Sequence, residues 1–309
     1  MLINYLKIAL RNIKKYKLHS FINILGLSVG LGAAFLILSF VFHELNYDRF
    51  HKDADNIYRF VAKMSRPNGK GSELVININD VGPEVKEDFP QVKEMVRLKN
   101  GGNVYIDYNQ EKFTGFVSLY ADSTFFSMFD YELLKGKSTE VLTDPKGLVI
   151  SKKMASKIFG DEDPMNKMVT ISQSDYRVTG VMESFPVQSH LQYDLILPLK
   201  SHPYYENLGG MEFHTYVKLD ESSDNSETRE QICSRADEIF EKRFEGSGYK
   251  AANSLQPLLD IHLKSQGYQY DFRTNGDIKQ VYMYCFLALI ILIVAIINYL
   301  NLFTARAEF

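Results

Sequence analysis

The chain has 309 residues, which is enough for one large domain or two ordinary domains with a sizeable core. Its two cysteines are too few for a disulfide framework, and its mean hydropathy of −0.18 would suit a soluble protein. That average hides two long uncharged segments, and the net charge of −3 hides five positive charges within residues 1–23.

The first uncharged segment, residues 24–42, predicts a membrane-spanning helix, which we place at residues 20–43. Nineteen helical residues cover about 28 Å, close to the ~30 Å hydrocarbon core of a bilayer. Twelve of them are Leu, Ile, Val or Phe, whereas a soluble core helix would carry a polar stripe. A cleaved signal peptide would have a shorter apolar run followed by a small-x-small site, and the sequence has neither feature here.

The second uncharged segment predicts another span at residues 280–305. Three tyrosines lie near its ends, where interfacial aromatic residues are common. Asn298 and Asn301 are about one turn apart near the far end. For such a pair, interfacial hydrogen bonding is favoured over a transport site.

The basic N-terminus sets the orientation of both predicted spans. Five cations and no acid precede the first span, so the positive-inside rule places the N-terminus in the cytoplasm and residues 45–278 outside it. Residues 1–18 have apolar residues at helical spacing, which predicts a basic amphipathic helix lying on membrane lipid. A nucleic-acid-binding arm is the alternative, and the adjoining span disfavours it. The five cations are Lys7, Arg11, Lys14, Lys15 and Lys17.

Small residues mark one face of the first predicted span. Gly26 and Gly30 are four residues apart, and Ala33 and Ala34 extend the face. Small residues at this spacing let a second helix approach closely, so the face predicts a helix-packing site. Glycine is also frequent in spans that have no such face, and that alternative stays open.

The region between the spans predicts an α+β domain with a mixed sheet, in one or two lobes. Strand-like patterns alternate there with helix-like patterns. Strands are predicted at residues 57–64, 73–79, 103–108, 112–120, 147–151, 168–172, 176–182 and 213–219. Helices are predicted at residues 80–89, 151–159 and 226–244, and the apolar stripe of the last helix consists of Ile232, Ala236, Ile239, Phe240 and Phe244.

No motif in this domain predicts catalysis, a cofactor or a metal site. Residues 136–139 read Gly-Lys-Ser-Thr, like the end of a phosphate-binding loop, but Tyr131 stands where that motif needs its first glycine. Residues 161–164 are acidic but lack the ligand spacing of a calcium loop. We therefore expect a protein that is not an enzyme and needs no cofactor.

Several long motifs resemble the MacB/FtsX-type permeases of ABC transporters. YDRFHKDADNIYRF, at residues 47–60 directly after the first span, resembles the start of their extracytoplasmic domain. Residues 120–167, beginning YADSTFFSMF, and residues 176–198, beginning YRVTGVMESF, resemble later parts of that domain. The motifs follow in the same order, and the resemblance covers essentially the whole chain.

The resemblance implies a MacB-like periplasmic core domain inserted between the first two spans of a bacterial inner-membrane permease. Such permeases form homo- or heterodimers and pair with a cytoplasmic ABC ATPase subunit, whose closure moves the spans and, through them, the periplasmic domain. The work is then done on a peptide, lipoprotein, drug or periplasmic partner protein. A non-transport envelope module, such as a regulator of wall hydrolases or a membrane-anchored sensor, is the alternative, and a membrane-tethered enzyme is a third.

Members of that family continue after the second span into a cytoplasmic coupling segment and further spans. Residues 306–309 stand where that segment would begin, so we expect the chain to be the N-terminal half of a larger permease. A truncated gene product, or a half that works with another chain, would fit the same sequence.

Overall fold

The structure is a computed structural model, and it describes residues 11, 15, 17–66, 69, 71–205 and 209–304. The chain folds into two compact units. One unit contains the two terminal segments, Met1–Asn46 and Gly276–Phe309, and the other is the domain Tyr47–Asn275.

The elements follow one another as several of the sequence patterns predict. The helices of the described residues are α1 (Lys17–Leu45), α2 (Val81–Asp88), α3 (Phe125–Met128), α4 (Lys152–Phe159), α5 (Ser226–Arg243), α6 (Ile261–Lys264) and α7 (Ile278–Thr304). The strands are β1 (Ile57–Ser65), β2 (Gly71–Leu74), β3 (Val92–Tyr108), β4 (Glu111–Ala121), β5 (Leu133–Lys135), β6 (Gly147–Ser151), β7 (Met168–Ile171), β8 (Ser174–Met182), β9 (Leu195–Pro198), β10 (His214–Leu219) and β11 (Lys250–Pro257).

Helices α1 and α7 form the first unit and pack side by side in opposite directions. Phe40 near the end of α1 meets Tyr284 near the start of α7, with ring centroids 5.4 Å apart, and the start of α1 lies against the end of α7. Within them, Ser20–Leu45 and Ile278–Leu300 are each long and apolar enough to cross a membrane. The two helices are therefore a pair of candidate spans.

The domain is built on a large mixed sheet with strand order β11-β1-β10-β3-β4-β9-β6-β8-β5. Strand β7 pairs with both β3 and β8, so β3, β4, β9, β6, β8 and β7 close into a ring. Strand pairs β4–β9 and β6–β8 are parallel, and the other pairs of the ring are antiparallel. Apolar side chains from all six strands share one core with helix α4.

Helix α4 begins and ends where its sequence predicts. The hydroxyl of Ser151 accepts the N–H of Met154 at 3.2 Å, which caps the helix start. Gly160 follows the last turn with φ of 61°, in the left-handed region that glycine adopts at little cost.

Strands β11, β1 and β10, with the first part of β3, share a second core with helices α2 and α5. The predicted apolar stripe of α5 supplies part of it: Ile232, Ala236, Ile239 and Phe240 are buried, and Phe244 is half-buried. The continuous sheet joins this core to the ring core, and a third cluster of buried side chains from β1, β3, β4, β6, β8, β9 and β10 packs with helix α3.

Helix α5 also covers the outer edge of β11. The backbone N–H of Asn253 donates to Asp237 Oδ1 at 2.6 Å, and the backbone of Leu255 hydrogen-bonds the Cys233 thiol. An uncovered edge strand offers its N–H groups to other chains, so these two side chains protect the sheet from edge-to-edge pairing.

The predicted strand at residues 73–79 is wrong beyond Leu74. The backbone there leaves the sheet ladder: the N–H of Val75 donates to Gln269 O at 3.2 Å, and that of Asn77 donates to Phe213 O at 2.7 Å. The predicted strand at residues 103–108 is only the second part of the 17-residue β3. The sequence patterns did not predict β5, β9 or β11.

Candidate functional site

The predicted helix-packing face of α1 faces α7 at both glycines. A Cβ added at Gly26 would sit 3.1 Å from the side-chain nitrogen of Asn298, and one added at Gly30 would sit 3.2 Å from Ala295 Cβ. Both distances are shorter than ordinary van der Waals contacts, so larger side chains at these positions would push the helices apart. The remaining residues of the predicted face are Ala33, which is half-buried, and Ala34, which is buried.

The predicted topology residues are described in part. Arg11, Lys15 and Lys17 are helical and exposed, whereas Lys7 and Lys14 lie outside the described residues. The inside-positive role of these five residues stays a prediction.

Residues 47–56, which we call the first connector, join α1 to strand β1, and Asp48 fixes them to the domain. Asp48 is fully buried, and its backbone adopts φ of 58°, a left-handed conformation that aspartate tolerates. Its N–H donates to Gln188 O at 2.8 Å, and its carboxylate accepts the N–H of His190 at 3.2 and 3.3 Å. The ring Nδ1 of His190 lies 2.9 Å from the same carboxylate, without the alignment of a hydrogen bond.

His51 supplies a second attachment of the first connector. Its Nδ1 accepts the N–H of Asp130 at 3.0 Å, and the N–H of neighbouring Lys52 donates to the Asp130 carboxylate at 2.9 Å. Burial lowers the pKa of His51 to about 4, and the nearby charge of Asp48 offsets only part of that effect. The ring is therefore neutral at pH 7, as an acceptor at Nδ1 requires.

Residues 265–275, which we call the second connector, lead to α7 and are fixed to the domain by a buried ion pair. The fully buried guanidinium of Arg59 donates to the two carboxylate oxygens of Asp271 at 2.7 and 3.1 Å and to the Ser265 hydroxyl at 3.2 Å. Asn275 Nδ2 donates to Asp271 Oδ2 at 2.8 Å. Burial by itself raises the pKa of Asp271, but the charge and hydrogen bonds of Arg59 outweigh burial and hold that pKa below its usual range.

Tyr216 joins the two attachments. Its hydroxyl lies 3.0 Å from His190 Nε2, and Arg59, its cross-strand neighbour on β1, hydrogen-bonds the same hydroxyl. Burial raises the pKa of Tyr216 well above its usual value, so the hydroxyl keeps its proton. A continuous series of buried side chains therefore runs from one connector to the other. We call it the buried polar chain, and its members are Asp48, His190, Tyr216, Arg59 and Asp271.

A cavity of about 760 Å³ lies beside the second connector and is within the size range of small-ligand sites. Side chains of β1, β2, β3, α5 and the second connector line it, and the charged pair Lys99 and Glu212 stands in its wall. His214 is only 3% exposed, and its Nδ1 has no hydrogen-bond partner among the described residues. Burial lowers the pKa of His214 to about 3, so the cavity presents a neutral imidazole.

The two motifs that were rejected as binding sites, residues 136–139 and 161–164, lie in turns. Gly136 has φ of 99° and follows β5, and the acids Glu162 and Asp163 pair with Lys167 and Lys135. Within residues 17–66, 71–205 and 209–304, no group of three or more His, Cys, Asp and Glu side chains is arranged to hold a metal ion.

The sequence patterns did not single out the buried polar chain. Arg59 is a cation with apolar residues on both sides in a strand pattern, which was a usable signal, because a buried charge requires a partner. Asp48 and His190 lie within the motifs that carry the resemblance to permeases. Asp271 lies 212 residues from Arg59 in a segment without a strand or helix pattern, and only the fold brings the two together.

Comparison with known families identifies most of the chain. A family model described as the MacB-like periplasmic core domain matches residues 20–234. The chain belongs to the MacB-like periplasmic core domain family. Proteins of this MacB-like family are membrane-anchored permeases of the ABC-transporter type with a periplasmic domain, and they work with ATPase partners.

The chain is also similar to solved structures. A domain assigned to a permease protein of Porphyromonas gingivalis matches with a TM-score of 0.59 and 23% identity, over 67% of this chain and 91% of that chain. The periplasmic region of MacB from Actinobacillus actinomycetemcomitans matches with a TM-score of 0.45 and 14% identity, over 65% of this chain and 89% of that one. The extracellular domain of the ABC-type transporter YknZ from Gram-positive bacteria matches with a TM-score of 0.47 and 15% identity, over 63% and 99% of the two chains. No curated protein sequence matches the chain.

Proposed function

We propose that this chain is a permease subunit, or the N-terminal half of one, in an ABC transporter of the MacB/FtsX type. It transmits the motion of an ATPase to a periplasmic domain, which acts on a peptide, lipoprotein or drug. One observation carries the proposal. A domain of the MacB-like family is inserted between two apolar helices that pack together and are long enough to cross a membrane.

The proposed location is the bacterial inner membrane, with the N-terminus in the cytoplasm and the domain in the periplasm. The excess of cations before α1 supports this orientation. Alkaline phosphatase fused after the exposed Glu140 should be active, and a cytoplasm-dependent reporter fused there should be inactive. The opposite pattern, or release of the chain from vesicles by alkaline carbonate, would overturn the proposed topology.

The proposed partners are a cytoplasmic ABC ATPase subunit, a second permease chain in a homo- or heterodimer, membrane lipid and a periplasmic partner protein. In this proposal ATP hydrolysis belongs to the partner, and the chain itself is not an enzyme. The product of the full reading frame, purified from its own cells in mild detergent, should retain an ATPase subunit. Purification of an intact permease without any ATPase, even after cross-linking in cells, would argue against a transporter.

A membrane-anchored sensor is the second candidate, and the cavity beside the second connector favours it. A ligand in that cavity would touch Asp271 and its neighbours, which lead directly to α7. A photo-cross-linking residue at Tyr270, which is 67% exposed at the cavity, should then capture one specific envelope component. The same residue at Tyr204, which is 69% exposed and does not line the cavity, should not capture it.

A further inference from the structure

The two connectors are the covalent links between the domain and helices α1 and α7, so motion passed along the chain from either helix enters the domain through them. Asp48 lies three residues after the end of α1, and Asp271 lies seven residues before the start of α7. Each carboxylate is an attachment point of its own connector. The buried polar chain links these two attachment points through His190, whose backbone N–H donates to Asp48, and through the side chains of Tyr216 and Arg59.

We propose that the buried polar chain locks the two connectors to one another, so that its five side chains are the positioning residues that make the domain respond to both candidate spans as one body. This inference rests on the proposed function, because it specifies how the domain would receive the motion. It assigns a role to five residues of which only Asp271 lines the cavity.

The donors and acceptors of the chain are consistent from end to end. Arg59 carries only donors, and it donates both to Asp271 and to the Tyr216 hydroxyl. The hydroxyl can then donate to Nε2 of His190, which leaves the ring N–H at Nδ1, facing the carboxylate of Asp48. Two carboxylates close the series: Arg59 donates on both sides, whereas Tyr216 and the ring of His190 each accept on one side and offer a proton on the other.

Burial makes the members of this chain dependent on one another. Asp48, Tyr216 and Arg59 are fully buried, His190 is 4% exposed and the Asp271 side chain is 9% exposed. Aromatic rings surround the middle of the chain: Phe129 packs edge-on against Tyr216 at 5.4 Å and against His190 at 6.2 Å. Water cannot readily replace a broken link in such a site, so loosening one end leaves unpaired polar groups along the series.

The domain also offers a matched comparison, the pair Arg97 and Asp122. Arg97 is 7% exposed, and it donates to the two carboxylate oxygens of Asp122, each at 2.8 Å. It also donates to Asn79 Oδ1 at 2.6 Å. This pair resembles Arg59 and Asp271 in geometry and burial, but its bonds run to the chain near β4 and α2 and to neither connector.

The test is hydrogen exchange of the full chain in lipid nanodiscs, read by mass spectrometry. The variant Asp271→Asn keeps the shape of the side chain and removes its charge. We expect the amides of Tyr268 and Gln269 to exchange about tenfold faster or more, because the second connector opens locally. The decisive reading is the first connector: the amides of Asp48 and Lys52 should also exchange several-fold faster.

The control variant Asp122→Asn should leave both connectors at wild-type rates. The hairpin of β7 and β8 reports global unfolding, so an acceleration at either connector counts only where it exceeds the acceleration of that hairpin in the same variant. Acceleration that stays within residues 265–275 in Asp271→Asn, or acceleration of both connectors in Asp122→Asn, would overturn the proposal.

Tyr216→Phe provides a second, gentler variant, since it removes one oxygen from the middle of the chain and keeps the ring. In this background Asp271→Asn should no longer affect the first connector, although it should still loosen the second. An unchanged effect on the first connector would overturn the proposal. The experiment contains no ATPase, so its outcome is separate from the test of the transporter function.

Discussion

Arg59 and Asp271 are 212 residues apart in the chain, yet their side chains form two hydrogen bonds of 2.7 and 3.1 Å inside the domain. Arg59 belongs to the first strand of the domain, and Asp271 belongs to the segment that leaves it. The pair therefore joins the strand that follows the first connector to the second connector. Its energetic importance follows from its burial, because neither charge is well solvated.

Asp271→Asn should lower the free energy of unfolding at pH 7 by about 3–5 kcal/mol, because it leaves the buried Arg59 without a counter-charge. The folded-state pKa of Asp271 lies below its unfolded value, so the ion pair stabilises the fold above the unfolded pKa near ~3.9 and stops doing so as the pH falls through the lower folded value. Urea unfolding of both proteins should show their difference narrowing below about pH 4. If the difference in unfolding free energy between the two proteins does not change with pH, the ion pair of Arg59 and Asp271 is not its cause.

His51→Asn should flatten the dependence of stability on pH in mildly acidic solution. Unfolded His51 binds a proton below a pKa near ~6.5, whereas folded His51 resists it down to about 4, so acidification through this window favours the unfolded chain. The slope of the unfolding free energy against pH should fall by at most ~1.4 kcal/mol per pH unit in the variant. The Asn side chain keeps an amide oxygen that can still accept the N–H of Asp130. Urea unfolding of the wild type and the variant at several pH values between 7 and 4 measures this slope.

His202→Asn is the matched control, because burial also lowers the pKa of His202 but the side chain is more exposed. The slope of the unfolding free energy against pH should change much less in His202→Asn than in His51→Asn. Equal slopes for the two variants would mean that burial of His51 is not the cause.

The sequence predicted the elements whose pattern is long or periodic. Helices α1 and α7 were evident from uncharged apolar runs, and α5 from an apolar stripe at helical spacing. Strand β9 was missed because four consecutive apolar residues, all buried, have no period that separates a strand from a helix or a core loop. Strand β11 was missed because it contains Ala, Asn and Ser, which favour strands weakly, and packing by α5 decides its conformation.

The candidate site was harder to predict than the fold. The buried polar chain depends on the register in which Arg59 faces Tyr216, and on contacts between residues that are 142 and 212 positions apart. Single-sequence patterns report neighbours within one element, so they cannot pair Asp48 with His190. The small-residue face of α1 was predictable because its signal is local, namely two glycines one turn apart.

Asp237→Ala should expose the outer edge of the sheet. It removes the acceptor for the N–H and the side-chain amide of Asn253, which should cost about 1–3 kcal/mol of stability, and it frees an edge that can pair with another chain. Light scattering at increasing protein concentration should show assemblies that are larger than those of the wild type. Glu241→Ala, an exposed position one turn further along α5, should behave like the wild type in both measurements.

Gly30→Ile should separate α1 from α7, whereas Gly32→Ile should not. A Cβ at Gly30 would lie 3.2 Å from Ala295 Cβ, but one at Gly32 would meet nothing within 4 Å, so two equal increases in volume have different consequences. Phe40→Cys with Tyr284→Cys places two thiols where the aromatic rings now meet, in a background in which Cys233 and Cys285 are replaced by Ser.

A short thiol cross-linker should join these two cysteines efficiently in the parent protein and in Gly32→Ile, and several-fold less in Gly30→Ile. Equal cross-linking in the two isoleucine variants would mean that the glycine face does not set the distance between the helices. A loss in both variants would instead indicate that bulk anywhere along α1 disturbs the pair. Only the difference between two glycines two residues apart shows that close packing, rather than general apolarity, holds the helices together.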